Sequence, residues 1–335
     1  MTGRDAGDGA GGDADADDPT TGTSDATAPE VVTIGAATVD RTYHVSNIPE
    51  PDGGAYAGSV AEAFGGVGAN VAVASARLGR STGLVARLGD GDVGGRVAED
   101  LDASQIDDAH VRRKPGTSTH CVILRDGDGK RSIVTAGDSA KRLRLSAADR
   151  AYLADAGAAF LTAYNPDPVH RDAIDLAEAA EAPPFIFDLS GPLAELAGRG
   201  ASEETIDRWV EVADVFVVGA VAAESYLGCR GREAATELRS RGAQRVAVTG
   251  GREGAVLVDE AGIHELPAFD VPVADETGAG DAYVAALMDR WVLGGDDARR
   301  AGRFAAAAAA LNVTSEGARG GLATRDSVES FLDGR

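Results

Sequence analysis

The sequence predicts an α/β fold: a central, mostly parallel sheet with helices on both faces, and a small β-sheet beside it. Three observations predict it. Short apolar runs alternate with segments of helical apolar spacing, the pattern of parallel strands joined by crossover helices. Two early stretches instead alternate with period two around turn residues, so they read as hairpins that interrupt the rhythm. The chain has 335 residues, 44% of them apolar, enough for a large core with an appended subdomain.

Residues 1–30 are mainly Gly, Asp, Ala and Thr, with eight acids against one base, Arg4. Nothing there can build a core, so a disordered acidic tail is expected. The folded domain is expected over 31–333. Residues 31–35, Val-Val-Thr-Ile-Gly, form the first strand. Residues 42–47 and 54–63 form the first hairpin, split by Pro49, Pro51 and Gly53-Gly54. A helix follows over 68–78, a strand over 82–88 and a helix over 92–104, with Val93, Val97 and Leu101 on one face. The second hairpin, 117–125 and 131–136, turns at Asp126-Gly127-Asp128-Gly129. That turn resembles a calcium loop, but its twelfth position is Gly137 rather than an acid. Later strands are predicted at 157–162, 184–188, 214–218, 244–249 and 254–258. Tyr283, Val284, Leu287, Met288 and Trp291 have helical spacing, and 304–312 is an Ala-rich helix.

The formal net charge is −22, from 54 acids against 32 bases. Such a surface repels nucleic acid and anionic membranes. Lysine is scarce and Asp abundant, which fits a protein solvated in concentrated salt, as in a halophile's cytosol. Cys121 and Cys229 make neither a disulfide framework nor a metal cluster. With no membrane-length apolar run and no signal-like h-region, a cytoplasmic protein is expected.

Asp275-Glu276-Thr277-Gly278-Ala279-Gly280-Asp281 closes a Val-, Pro- and Asp-rich run and opens a helix. Small residues at a loop-to-helix junction leave N–H groups bare at the positive helix end, an anion site. Asp281 falls in the first turn. Beside a phosphate, a carboxylate is useful as a general base; alternatively the glycines shape a turn and Asp281 caps the helix. Asp40 lies just past the first strand, where α/β sheets hold ligands. Gly65-Gly66 permits close backbone approach, and Asn70 offers a donor and an acceptor. Gly89-Asp90-Gly91-Asp92-Val93-Gly94 matches a dinucleotide fingerprint, but its two acids would face the pyrophosphate and it is not in the first strand–helix unit. No Walker A sequence occurs. His44 and His120 lie on the hairpins, within reach of a ligand or of solvent.

The heptapeptide resembles the C-terminal signature of the ribokinase-like (PfkB) carbohydrate kinases, with Glu276 where Thr is usual. Gly65 to Ala72, with Gly79 and Gly89, resembles the N-terminal signature at its usual spacing. The resemblance covers roughly residues 31–333 and implies a ribokinase-like fold with a lid formed by about 41–64 and 112–137. It implies that Asp281 is the catalytic base and that Gly278, Ala279 and Gly280 hold the transferring phosphoryl group. Asp40, Gly65, Gly66 and Asn70 would bind the acceptor's hydroxyls; Thr249, Gly251, Gly254 and Glu224 would bind the nucleotide. The family's Asn-x-x-Glu would fall at Val221–Glu224, with Val in place of Asn. The loop 314–321 would close over adenine and, with Asp275, hold a monovalent cation. ATP, Mg²⁺ and K⁺ are therefore the implied cofactors.

The implied partner is a sugar or a sugar-containing small molecule, and a homodimer is expected through the lid, using apolar residues such as Val60, Phe64, Val122 and Ile123. The chain lacks the openings of 2-keto-3-deoxygluconate kinases and 1-phosphofructokinases. Ribokinase-like, nucleoside-kinase-like and ribose-1-phosphate readings stay open, with Arg41, Lys141 and Arg142 as candidate cations for a phosphorylated acceptor. A weakly catalytic sugar-sensing relative is the non-enzyme alternative.

Overall fold

The structure, a computed structural model, describes residues 28–179 and 182–335. The expected acidic tail lies almost wholly outside the described residues. The chain runs through β1 (Val31–Ile34), β2 (Thr38–Val45), β3 (Ala57–Gly65), α1 (Val67–Arg77), β4 (Thr82–Gly89), α2 (Asp92–Ala103), β5 (Val111–Lys114), β6 (His120–Arg125), β7 (Arg131–Ala136), α3 (Ala147–Ala154) and β8 (Ala158–Thr162). It continues through α4 (Asp167–Ala177), β9 (Phe185–Asp188), α5 (Leu193–Leu196), α6 (Glu203–Val212), β10 (Val215–Gly219), α7 (Ala220–Leu227), α8 (Gly231–Ser240) and β11 (Val246–Thr249). It ends with β12 (Ala255–Asp259), β13 (Gly262–Leu266), α9 (Ala279–Leu287), α10 (Ala298–Asn312) and α11 (Arg325–Asp333).

The large sheet has the order β13-β12-β11-β10-β9-β8-β1-β4-β5. It is parallel from β11 to β5, and β12 and β13 add an antiparallel edge. Strand residues alternate between two cores, as a pleated strand buried on both faces requires. Val215 and Val217 pack towards α1, α9 and α10, whereas Phe216 and Val218 pack towards α4, α6 and α8. Polar residues begin several helices. Ser146 and Asp149 form a capping box on α3, and Asp297 caps α10.

The second sheet has the order β3-β2-β6-β7. The two hairpins are present, and the parallel pairing of β2 with β6 joins them. Three expectations are corrected. β2 starts at Thr38, so Asp40 lies within a lid strand instead of just past β1. β5 pairs with β4 in the main sheet, so the lid's second half starts at His120 rather than at 112. Phe64 packs on the main core, leaving Val60 and Val134 among the exposed large apolar residues of the lid.

Candidate active site

Residues at the C-terminal ends of β9, β10 and β11 (Ser190, Gly219 and Thr249) line one cleft, Thr162 at the end of β8 bonds Ser190, and Arg131 of the lid lines the adjoining cavity. This is where a parallel sheet collects ligand groups from successive loops. α9 starts beneath it, packed between α1 and α10. Its N-cap is Gly278, with φ +76°, and a Cβ there would lie 2.2 Å from the Ala318 carbonyl oxygen. Only glycine lets the loop turn in this left-handed region against residues 314–321. No side chain caps α9, and exposed Gly280 lines a cavity of about 630 Å³.

Thr249, Gly251, Gly254, Ala279 and Gly280 all line that cavity. Its far wall includes Ala306, Ala309 and Ala310 of α10. The Ala-rich stretch therefore does more than pack tightly, since its missing side-chain volume leaves room for a flat ligand. Tyr283 also lines the cavity. Glu276 lies at its rim, 3.9 Å from Arg252. A smaller cavity of about 420 Å³ shares Thr249 and Gly251 and adds Ser190, Gly219, Ala222 and Glu253.

Glu224 lines neither cavity. It is half exposed and ion-paired with Arg230, which does line the smaller one. The α7 residues facing that cavity, Ala220 to Ala222, carry no side-chain oxygen. The expected placement of Glu224 at the nucleotide is thus not supported, because α7 turns it outward.

On the acceptor side, packing of α1 on α9 brings Asn70 to Asp281. The Asn70 Nδ2 donates to Asp281 Oδ2 at 2.7 Å. Arg319 Nε donates to Asn70 Oδ1 at 2.7 Å, which orients the amide; Arg319 also donates to Asp100 at 2.6 Å and to the Gly65 carbonyl at 3.2 Å. Sequence reasoning passed over Arg319. Its one signal was a lone arginine amid the glycines of the closing loop. Asp40 accepts from Thr38 Oγ1 at 2.8 Å. A Cβ on Gly65 would lie 2.1 Å from the Asp40 carboxylate, so glycine makes that seat possible.

Asp281 sits at the cleft floor, densely surrounded by protein yet touched by solvent. Burial raises its pKa to about 7; Asn70 and Arg319 oppose the rise, while Asp188 and Asp40 add to it. Burial likewise raises Asp40 against the pull of Thr38, Cys121 and Arg319. Asp188, at the end of β9, is raised by burial against hydrogen bonds from Ser190. Burial, then the charge of Asp40, pushes the Cys121 thiol up to about 12, so it stays a neutral neighbour. Asp188 and Asp40 thus lie close enough for their charges to act on Asp281, and Asp281, in the first turn of α9, has a pKa near neutrality. Such a group can take up and release a proton at working pH.

Other candidates lie elsewhere. His120 occupies the lid face opposite Asp40 and contacts the Ser118 carbonyl. Arg41 is on that outer face with Glu62, and Arg142 pairs with Asp138. The Gly89–Gly94 turn is a packing device, because a Cβ on Gly94 would lie 2.1 Å from the Gly89 oxygen. Among the described residues, no group of three or more His, Cys, Asp or Glu side chains is arranged to hold a metal ion. No helix among them is long and apolar enough to cross a membrane.

The pfkB family carbohydrate kinase profile matches residues 28–325. An ATP-dependent ribose-1-phosphate kinase from Halopiger xanaduensis is 30% identical over 91% of this chain and 98% of that protein. A nucleoside kinase from Methanothermobacter thermautotrophicus is 25% identical over 90% of this chain and 95% of that protein. Among solved structures, Arabidopsis thaliana ribokinase complexed with ribose and ATP superposes with a TM-score of 0.77 at 25% identity, covering 91% of this chain and 99% of that one.

Proposed function

The chain belongs to the pfkB family of carbohydrate kinases, and from that premise we propose that it moves the γ-phosphoryl group of ATP to a hydroxyl of a ribose-bearing acceptor, with ribose 1-phosphate the first to try. The enzyme is a phosphotransferase with an alcohol acceptor. The choice of ribose 1-phosphate leans on the Halopiger relative, which aligns over almost its full length. The single observation that carries the reaction is the position of Asp281. It stands between the glycine-lined cavity and Asp40, held by Asn70.

In this reading the nucleotide occupies the 630 Å³ cavity against Thr249, Gly251 and Gly254. The N–H groups of Gly278 and Gly280 face the transferring phosphoryl group and stabilise its charge, while that of Ala279 donates to the Glu276 carbonyl at 3.3 Å and shapes the turn. Asp40 accepts hydrogen bonds from two acceptor hydroxyls, while Gly65 and Gly66 allow the sugar to approach the backbone. Asp281 takes the proton of the attacking hydroxyl. Its raised pKa makes the ionised carboxylate a stronger base for that task. Bound with the nucleotide, magnesium would supply neutralisation of the phosphate charge. Ser190, Thr249 and Glu253 bring side-chain oxygens to the smaller cavity, where Val221 and Ala222 supply none.

The outer lid face carries Val60, Tyr43 and Leu124 in one cross-strand row and Val122 and Val134 in the next. Val60 is 56% exposed and Val134 60%. A second copy covering this face is the proposed dimer. The net charge of −22 supports a protein that works in concentrated salt.

The test is ADP release in about 2 M KCl, a salt level that screens charge within a few ångströms, with ribose, ribose 1-phosphate, adenosine, inosine and fructose. Acceptor-dependent release with a ribose-bearing compound is expected. Release with none of them above the acceptor-free rate sinks the acceptor assignment.

A further inference from the structure

Asp275 is the residue at which the family resemblance calls for a monovalent cation, and its surroundings do not fit one. An ionised carboxylate has about four lone-pair positions. Thr277 fills two of them, donating its N–H at 3.0 Å and its hydroxyl at 2.8 Å to Oδ1. The Gly317 N–H donates to Oδ2 at 3.1 Å. The remaining side of Oδ2 faces Arg125, whose Nη1 lies 3.4 Å away. Arg125 Nη2 also donates to the Ala274 carbonyl at 3.1 Å. A potassium ion needs several free oxygens, and here it would also sit against a guanidinium. Burial raises the Asp275 pKa, but Thr277, Gly317 and Arg125 outweigh it and hold the group below the usual carboxylate range.

Arg125 ends β6, and its cross-strand partner Arg131 begins β7. Arg131 Nη1 donates to Thr277 Oγ1 at 3.0 Å and lines the large cavity. One hairpin tip of the lid therefore grips residues 274–277, immediately before the glycine turn. We infer that the Arg125 guanidinium stands in for the monovalent cation. It is a positioning residue. The positive charge that sets the anion loop is carried by the lid, so the loop is fully set only with the lid closed, and the enzyme is indifferent to which monovalent cation surrounds it. This rests on the kinase reading, with one arm of the test independent of turnover.

The experiment measures ADP affinity by titration calorimetry, and turnover, in KCl, NaCl and tetramethylammonium chloride at one ionic strength, with a melting curve in each. For the unaltered protein, ADP affinity and turnover should agree within about twofold across salts in which the melting temperature is unchanged; sodium against potassium suffices if the organic cation melts the fold. Arg125→Ala should lower both by about tenfold or more, the worth of one charge-assisted hydrogen bond, and should recover part of the loss in K⁺ over tetramethylammonium. Arg125→Lys, which keeps the charge and is the milder change for folding, should keep most of the affinity and the indifference to cation. Severalfold tighter ADP binding by the unaltered protein in K⁺ at equal melting temperature would overturn the inference. So would an Arg125→Ala protein that binds ADP as the parent does. If no salt and no acceptor give turnover, the kinase reading fails while the ADP arm still decides this one.

Discussion

The two halves of the cleft are built from different materials. The proposed nucleotide side is mostly backbone: glycines at 250, 251, 254 and 280, and alanines from α10, around one cavity. The proposed acceptor side is made of side chains: Asp40 on the lid, Asp188 at the end of β9, and the Asp281–Asn70–Arg319–Asp100 chain of hydrogen bonds. Backbone recognition needs a particular loop shape and tolerates little change in sequence. Side-chain recognition needs only a scaffold, so its chemistry can change while the fold stays.

The comparison breaks most sharply at Asp281, where the halves meet. Asp281→Asn keeps the shape but removes the basic oxygen, so turnover should fall roughly 10²–10⁴-fold. ATP affinity measured by calorimetry should move little. Turnover of the unaltered enzyme should rise with pH through about 7, where Asp281 loses its proton. The stability sign is the reverse. A carboxyl whose pKa is raised by folding holds its proton more tightly when folded, so it favours the fold at low pH and loses that advantage as pH rises through about 7. The Asn variant should therefore melt higher than the parent above pH 7, with the gap closing towards pH 4, near the unfolded pKa. Near-normal turnover in the variant would move the base elsewhere.

Asp40→Asn probes the acceptor side alone. It should raise the acceptor KM about 10- to 100-fold, the worth of charge-assisted hydrogen bonds to hydroxyls, and leave ADP affinity unchanged. If ADP binding weakens equally, the two halves are not separable as described. Next in size is assembly. Val60→Asp with Val134→Asp should convert a dimer into a monomer by light scattering at micromolar protein, with turnover reduced less than for Asp281→Asn. A monomeric parent in molar salt counts against the dimer. The smallest effect is on the body of the protein. The melting temperature should climb by several degrees between about 0.1 M and 2 M KCl as the Debye length shrinks from about 10 Å to under about 3 Å; a flat curve removes the high-salt adaptation.

Legibility in the sequence followed the same division. Alternating strands and helices, both hairpins and both glycine-rich signatures were readable, because local patterns of burial and backbone freedom leave local traces. β5 and β13 were missed. Each is short and at a sheet edge, with Val111–Lys114 mostly polar and only partly buried. Asp40 was read as a strand-exit residue because the periodicity of β2 became visible only from residue 42. Glu224 was assigned to the nucleotide from the family's Asn-x-x-Glu element, and the structure pairs it with Arg230, which lines the smaller cavity.

By itself, the sequence determined an α/β kinase core, a glycine-rich loop ahead of a helix and a surface of net charge −22. These depend on residue type, period and short-range steric limits, all of which a linear chain records. Only the tertiary structure decided what surrounds those parts. Arg319 reaches Asn70 across 249 positions, and Arg125 reaches Ala274 across 149. A surface-type arginine looks the same in sequence whether it meets water or a buried carboxylate. Its partner, and with it the charge balance that tunes Asp281 and occupies Asp275, exists only once distant segments are packed together.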